Sequence, residues 1–302
     1  MRSASTPSAE WTRRSERGSL PLVRFMAWAS LALGRGPSRV MVRLIAAYFF
    51  VTGGAARRAS REFLARSLGR EPTLAERYRL FFNFSATIHD RVYFLKQRFD
   101  LFDIEVHHED LCDGEGALLM GAHLGSFEVL RSRGRHLGGR RVAMAMYGEN
   151  ARRLNSVLAA VDPSAVQDIV ALGRVDSMLE LAAWLEDGGL VGMLADRTLG
   201  DDAVMMIPFL GRAAPFPTGP MRMAAALRRR VIFMAGLYRG GNHYEIRFEP
   251  LADFSDLEGL SRVERDRRVS EATVEFAQHL ERCAREAPDN WFNFHDFWGR
   301  AA

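Results

Sequence analysis

The stretch Gly116-Ala-Leu-Leu-Met-Gly-Ala-His123-Leu-Gly-Ser-Phe-Glu128 decides the fold. Its first part is a continuous apolar run of strand length, the pattern of a strand buried on both faces. Beyond it, Phe127, Val129, Leu130 and Leu137 carry a helical pattern. Gly125 and Ser126 stand between, where a conformationally free residue and a capping hydroxyl are expected. Strand, tight turn, helix is the repeating element of an α/β sheet. His123 then hangs from the C-terminal end of a strand, where open α/β sheets bind their ligands. Positions five apart on a helix differ by about 140°, so His123 and Glu128 straddle the helix start rather than sharing a helical face. A histidine and a carboxylate so placed are the groups that turn an alcohol into a nucleophile: the imidazole takes the hydroxyl proton, and the carboxylate fixes the ring and stabilises the imidazolium. Taken alone, the string fits equally a buried, satisfied histidine beside a surface glutamate.

Outward from this segment the texture is uniform. Strands are predicted over 102–107, 117–122, 141–147, 168–171, 190–194, 231–238 and 243–248, alternating with helices over 128–137, 152–161, 175–187, 220–229 and 261–285. The fold class is therefore α/β, a central mostly parallel or mixed sheet flanked by helices, with an antiparallel edge where Gly240, Gly241 and Asn242 make a hairpin turn. Upstream the pattern is all helical, over 21–33, 38–68 and 73–97. The domain organisation is a polar, disordered basic tail (1–19), a helical, membrane-associated segment (20–100) and a catalytic domain (101–302). No internal repeat, Gly-x-Gly-x-x-Gly run or Walker-type loop occurs, which argues against nucleotide chemistry.

The formal charge of +4 is unevenly spread. Residues 1–70 hold thirteen arginines against Glu10, Glu16 and Glu62, an excess of +10, so the remainder carries −6. Two apolar stretches lie in that basic end, Leu20 to Gly34 and Val40 to Gly53, interrupted by Arg24 and Arg43. Both fall short of the ~20 residues a spanning helix prefers. Apolar segments flanked by arginines suit a protein lying on an anionic leaflet, by peripheral or monotopic attachment or a single N-terminal anchor. A helical hairpin with solvated arginines is the plainer reading. No nucleic-acid motif accompanies the charge, and no cleavable leader is evident. The two cysteines, Cys112 and Cys283, form no metal spacing or disulfide framework, in keeping with a reducing, cytoplasm-facing setting.

A second constellation follows. Asp196 and Arg197 end an apolar strand as His123 does, and so are expected to face the same site. An arginine there suits a phosphate or the oxyanion formed when a thioester is attacked. Downstream, the Phe216-Pro-Thr-Gly-Pro220 turn feeds a helix whose first amides, at Thr218 and Gly219, suit an anionic group. An ordinary salt bridge and an ordinary turn are the alternatives.

Together, the Gly-Ala-His-Leu-Gly-Ser-Phe-Glu run, the Asp-Arg strand end, the Pro-Phe-Leu-Gly-x-Ala-Ala segment and the Gly-x-x-x-x-Ala helix resemble the bacterial lipid A biosynthesis (late) acyltransferases of the lysophospholipid acyltransferase superfamily, over about residues 21 to 298. The resemblance implies an HX4D/E pair at His123 and Glu128, an N-terminal hydrophobic anchor, action at the cytoplasmic face of the inner membrane, and acyl carrier protein or coenzyme A thioesters as co-substrates with no bound cofactor or metal. Asp196-Arg197 departs from the Asp-Gln common in those enzymes. The aromatic ending Asp289-Asn-Trp-Phe-Asn-Phe-His-Asp-Phe-Trp298 is similar to that of acyltransferases associated with aryl polyene or xanthomonadin-type pathways, so the acceptor is a lipid or glycolipid of open identity. For the aromatic ending, packing is the expected role ahead of chemistry.

Three other classes are set beside acyl transfer. Ser126 close to His123 suggests a serine esterase, but the Gly-x-Ser-x-Gly elbow is missing. His107, His108, Glu109 and Asp110 suggest a metal site, but neighbouring strand residues point to opposite faces. A non-catalytic membrane-binding module would keep the arginine-rich end and would have no need of His123 and Glu128.

Overall fold

The computed structural model of the chain describes residues 20–129, 142–147, 169–173, 175–198 and 203–299. The tail expected over 1–19, the helix expected over 152–161 and most of that expected over 128–137 lie outside the described residues. Four helices come first, α1 (Leu20–Leu33), α2 (Arg35–Thr52), α3 (Gly54–Leu68) and α4 (Leu74–Leu95), followed by β1 (Asp103–His107), β2 (Ala117–Gly121), β3 (Val142–Tyr147) and β4 (Ile169–Leu172). After them run α5 (Val175–Glu186), β5 (Leu190–Leu194), the pair β6 (Val204–Phe209) and β7 (Arg212–Pro217), α6 (Gly219–Leu227), β8 (Arg230–Gly240), β9 (His243–Asp253) and α7 (Arg262–Glu286).

Seven strands form one sheet in the order β1-β9-β8-β2-β5-β3-β4, with β6 and β7 as a separate ribbon. β8, β2, β5, β3 and β4 run parallel, and β9 turns back antiparallel to β8. Both faces are covered, which is why the strands read as unbroken apolar runs. Along β2, Leu118 and Met120 enter one core with Phe63 of α3 and Phe276 and Leu280 of α7. Ala117 and Leu119 enter the opposite core with Ala86 and Phe94 of α4. The mixed sheet between helical layers agrees with the expected class, with two corrections. The β8–β9 hairpin is not an edge, because β1 pairs parallel along β9 from Asp103↔His243 to His107↔Arg247. The helix expected over 38–68 is two, bent by 95°. Gly53 and Gly54 break it where two glycines in a row hold a helix poorly, and a Cβ at Gly53 would stand 2.6 Å from the Phe49 carbonyl oxygen.

α4 starts at a capping box: Glu76 N–H donates to Thr73 Oγ1 at 3.2 Å and Thr73 N–H to Glu76 Oε2 at 2.8 Å. α2 docks on it through Asp90, which accepts from Arg35 Nε at 2.8 Å, Arg39 Nη2 at 2.6 Å and Tyr244 OH at 2.8 Å. The docking leaves Val40, Leu44, Tyr48 and Val51 of α2 and Phe25 and Trp28 of α1 exposed. No single helix among the described residues is long and apolar enough to cross a membrane.

Candidate active site

β2 and β5 are parallel neighbours in a register that sets Gly121 opposite Leu194. His123 and Asp196 each lie two residues beyond that pair, so the sheet itself delivers them to one another. The His123 ring nitrogen Nδ1 is 2.8 Å from Asp196 Oδ1, and the His123 backbone N–H donates to Oδ2 at 3.2 Å. A third donor, the Trp291 indole Nε1–H, reaches Oδ2 at 3.0 Å. Asp196 is almost wholly buried. Burial pushes its carboxyl upward, but the facing imidazole, Arg197 and the indole outweigh that and hold it well below the usual carboxylate range. Asp196 is therefore an anion, and with an anion at Nδ1 the neutral imidazole carries its proton there, leaving the Nε2 lone pair free.

The imidazole stays neutral for two reasons. Burial and, second, the Arg197 guanidinium lower its pKa below the ordinary 6.5, against the opposing pull of Asp196. Arg197 is partly buried and donates through Nη2 to the Phe292 carbonyl at 3.1 Å. Burial lowers its own pKa.

The turn after His123 is shaped by close backbone approach. Gly125 has φ +64°, and a Cβ there would stand 2.0 Å from the Gly236 carbonyl oxygen. That carbonyl accepts the Ser126 N–H at 2.7 Å. A strap from the C-terminal segment closes the other side: Gly125 N–H donates to Asn290 O at 2.8 Å and Phe292 N–H to His123 O at 2.8 Å. Asn290 is fixed in turn by Tyr238, whose N–H donates to Oδ1 at 2.7 Å and whose carbonyl accepts from Nδ2 at 3.1 Å.

The structure thus brings His123, Asp196 and Arg197 together, as expected. The carboxylate at the ring nitrogen Nδ1 is that of Asp196. Glu128 enters the first helical turn as its spacing requires, but it is buried towards α4, with Oε2 3.8 Å from Arg91 Nε. The physical reason is the angle across the helix start, against the direct register that β2 shares with β5. Ser126 is buried, and no hydrogen bond among the described residues joins its hydroxyl to the imidazole. Thr218 and Gly219 open α6 as expected, yet the Thr218 hydroxyl donates to Ala203 O at 3.1 Å. No hydrogen bond among the described residues ties either residue to His123, Asp196 or Arg197. His107, on β1, faces Glu105 and Glu245 at 3.2 and 3.5 Å, while His108 has a left-handed backbone. Among the described residues no three His, Cys, Asp or Glu side chains are grouped to hold a metal ion. Sequence reasoning missed Trp291. Its signal was faint: a buried indole needs an acceptor for its N–H.

The family model for bacterial lipid A biosynthesis acyltransferases matches residues 22–300. Among solved structures, the chain is similar to the 1-acyl-sn-glycerophosphate (LPA) acyltransferase, PlsC, from Thermotoga maritima, at 16% identity, covering 82% of this chain and 98% of that one, with a TM-score of 0.39. No curated protein sequence matches the chain.

Proposed function

The chain belongs to the bacterial lipid A biosynthesis acyltransferase family, and we propose that it moves a fatty acyl group from an acyl carrier protein or coenzyme A thioester to a hydroxyl of a lipid or glycolipid, with His123 as general base. The observation that carries this reading is the Asp196 carboxylate 2.8 Å from His123 Nδ1; with the imidazole pKa lowered by burial and Arg197, that contact favours the neutral ring with Nε2 left to act. Nε2 takes the acceptor hydroxyl's proton as its oxygen attacks the thioester carbonyl carbon. The new C–O bond gives a tetrahedral oxyanion, the C–S bond then breaks, and the imidazolium returns the proton to the departing thiolate. Asp196 keeps the ring in the productive tautomer and stabilises its cationic form. Arg197 favours the neutral imidazole before attack and places positive charge near the forming oxyanion. Glu128 supports the turn from α4's side; the Thr218 amide already donates to Ala203 O at 2.9 Å, which leaves the Gly219 amide as the candidate for an anionic part of a substrate.

The proposed place of action is the cytoplasmic face of the inner membrane. Exposed apolar side chains on α1 and α2, beside exposed Arg43 and Arg58, suit the interfacial region of an anionic leaflet. The test is transfer from acyl carrier protein and coenzyme A thioesters to membrane lipids, with products identified by mass spectrometry. His123→Ala is expected to lower turnover at least about 1,000-fold with the fold intact; wild-type turnover in that variant refutes the assignment.

A further inference from the structure

The C-terminal aromatic segment has two tryptophans whose N–H groups end differently. Trp298 Nε1 donates to the backbone carbonyl of Phe209 at 3.3 Å, an ordinary way to satisfy a buried indole. Trp291 Nε1 donates instead to Asp196 Oδ2, the carboxylate whose other oxygen holds the imidazole. Trp291 is among the largest fully buried side chains. Phe63, Phe209 and Phe297 pack their rings edge-on around it at centroid distances of 4.8, 5.3 and 4.9 Å. Its backbone forms an antiparallel bridge with Leu124, the residue after His123. Rings on three sides and a pinned backbone leave the indole one orientation, and that orientation aims its single donor at Asp196. Packing alone would be served by a phenylalanine.

We infer that Trp291 is a positioning residue of the transfer site: its indole N–H holds the Asp196 carboxylate in the rotation that presents Oδ1 to His123. The inference rests on the acyl-transfer reading for its kinetic part and on geometry alone for the rest. Among the described residues, the other donor to Oδ2 is the His123 backbone N–H, at 3.2 Å. Without the indole, that longer bond is the one that remains to Oδ2 among the described residues, and the carboxylate is held less firmly in rotation. A carboxylate with fewer donors is also more basic, so it binds the imidazolium more tightly and the pair holds its proton to higher pH. Among the described residues, Arg197 is the charged group that acts on both members of the pair, lowering the pKa of each.

Trp291→Phe tests this, with Phe63→Leu as a variant that loosens the same aromatic cage but keeps the N–H. A third form replaces the Trp291 side chain by benzothienylalanine, which exchanges N–H for sulfur at nearly equal volume and covers the case in which Trp291→Phe does not fold. Two readouts are taken: turnover with acyl thioester and lipid, and the His123 titration by nitrogen-15 NMR, assigned against His123→Gln. Loss of the indole N–H is expected to lower kcat about 10- to 100-fold with KM within about twofold, and to move the His123 titration upward. Phe63→Leu is expected to lower thermal stability while leaving the titration in place. An unchanged titration and kcat in the variants lacking the N–H overturns the inference, and so does an equal shift in Phe63→Leu, which makes Trp291 a packing residue only. The NMR arm needs no substrate. A shifted titration in a protein that transfers no acyl group refutes the acyl-transfer reading while upholding the indole's hold on Asp196.

Discussion

Asp196→Asn separates the two carboxylates near His123. The substitution keeps the shape of the side chain and removes its charge. Its amide can turn either oxygen or nitrogen to the imidazole. Trp291 Nε1–H and His123 N–H both point at Oδ2 and require an acceptor there. The amide oxygen therefore takes the Oδ2 place, and the amide nitrogen, a donor, faces Nδ1 at the 2.8 Å position of Oδ1. The imidazole must then present a lone pair at Nδ1 and carry its proton on Nε2, the wrong tautomer for a base. Where a carboxylate holding a catalytic histidine is so replaced, turnover falls by about 10⁴, or about 5 kcal/mol at 1.36 kcal/mol per decade. Glu128→Gln leaves Nδ1–Asp196 untouched and removes the charge facing Arg91 at 3.8 Å. Its expected cost is to stability, about 1–3 kcal/mol, with kcat falling less than about tenfold. The assay follows thiol release from an acyl thioester in the presence of lipid acceptor, across pH, with circular dichroism to confirm folding. The wild-type acid limb is expected below the ordinary imidazole value of 6.5, because burial and Arg197 disfavour the cation. Activity requires the neutral ring, so it is present above that limb and lost as pH falls through it. Arg197→Met removes one lowering influence and moves the limb up. A folded Glu128→Gln protein that loses as much turnover as Asp196→Asn refutes the reasoning, because Glu128 would then be the carboxylate that matters.

Replacing Leu44 and Val51, both 67% exposed, by Asp is expected to weaken binding to anionic vesicles at least about 100-fold while leaving the thermal midpoint nearly unchanged, measured by vesicle co-sedimentation and calorimetry. Gly125→Ala forces a side chain onto φ +64° and into the Gly236 carbonyl, so it is expected to cost about 3 kcal/mol or more and to lower activity. Gly241→Ala, at φ +58° with open space around it, costs only about 1–2 kcal/mol; equal denaturation midpoints for the two would contradict the close-approach argument. Asp90→Ala leaves Arg39 buried without its anion, an expected loss of about 3–5 kcal/mol, read by urea denaturation, and it should loosen α2 from α4.

Some of this structure was legible in the sequence because the relevant physics is local. A strand covered on both faces must be apolar throughout, so 117–121 and 190–194 announce themselves, and the turn at Gly125 is announced by the residue that the close approach to Gly236 demands. Other parts were hidden by competing local signals. Pro208, Pro215 and Pro217 disguise β6 and β7, since proline lacks a ladder donor, yet an isolated two-stranded ribbon has free edges where proline is tolerated. The apolar run on either side of Gly53 conceals the break between α2 and α3. The site itself was half legible. His123 and Asp196 could each be placed at a strand end, but their union depends on β2 and β5 being neighbours although β3 and β4 lie between them in the chain. No local pattern encodes that order. Glu128 looked like the partner because it is near in sequence, and five residues are too few to show which way a side chain turns after a helix begins. Trp291, 95 residues beyond Asp196, was harder still. In an aromatic-rich tail its bulk explains its presence, and only the direction of one N–H bond sets it apart from Trp298. Residues that act on a site through a single oriented donor are therefore the last to be read from a sequence, because composition records the ring and geometry alone records the bond.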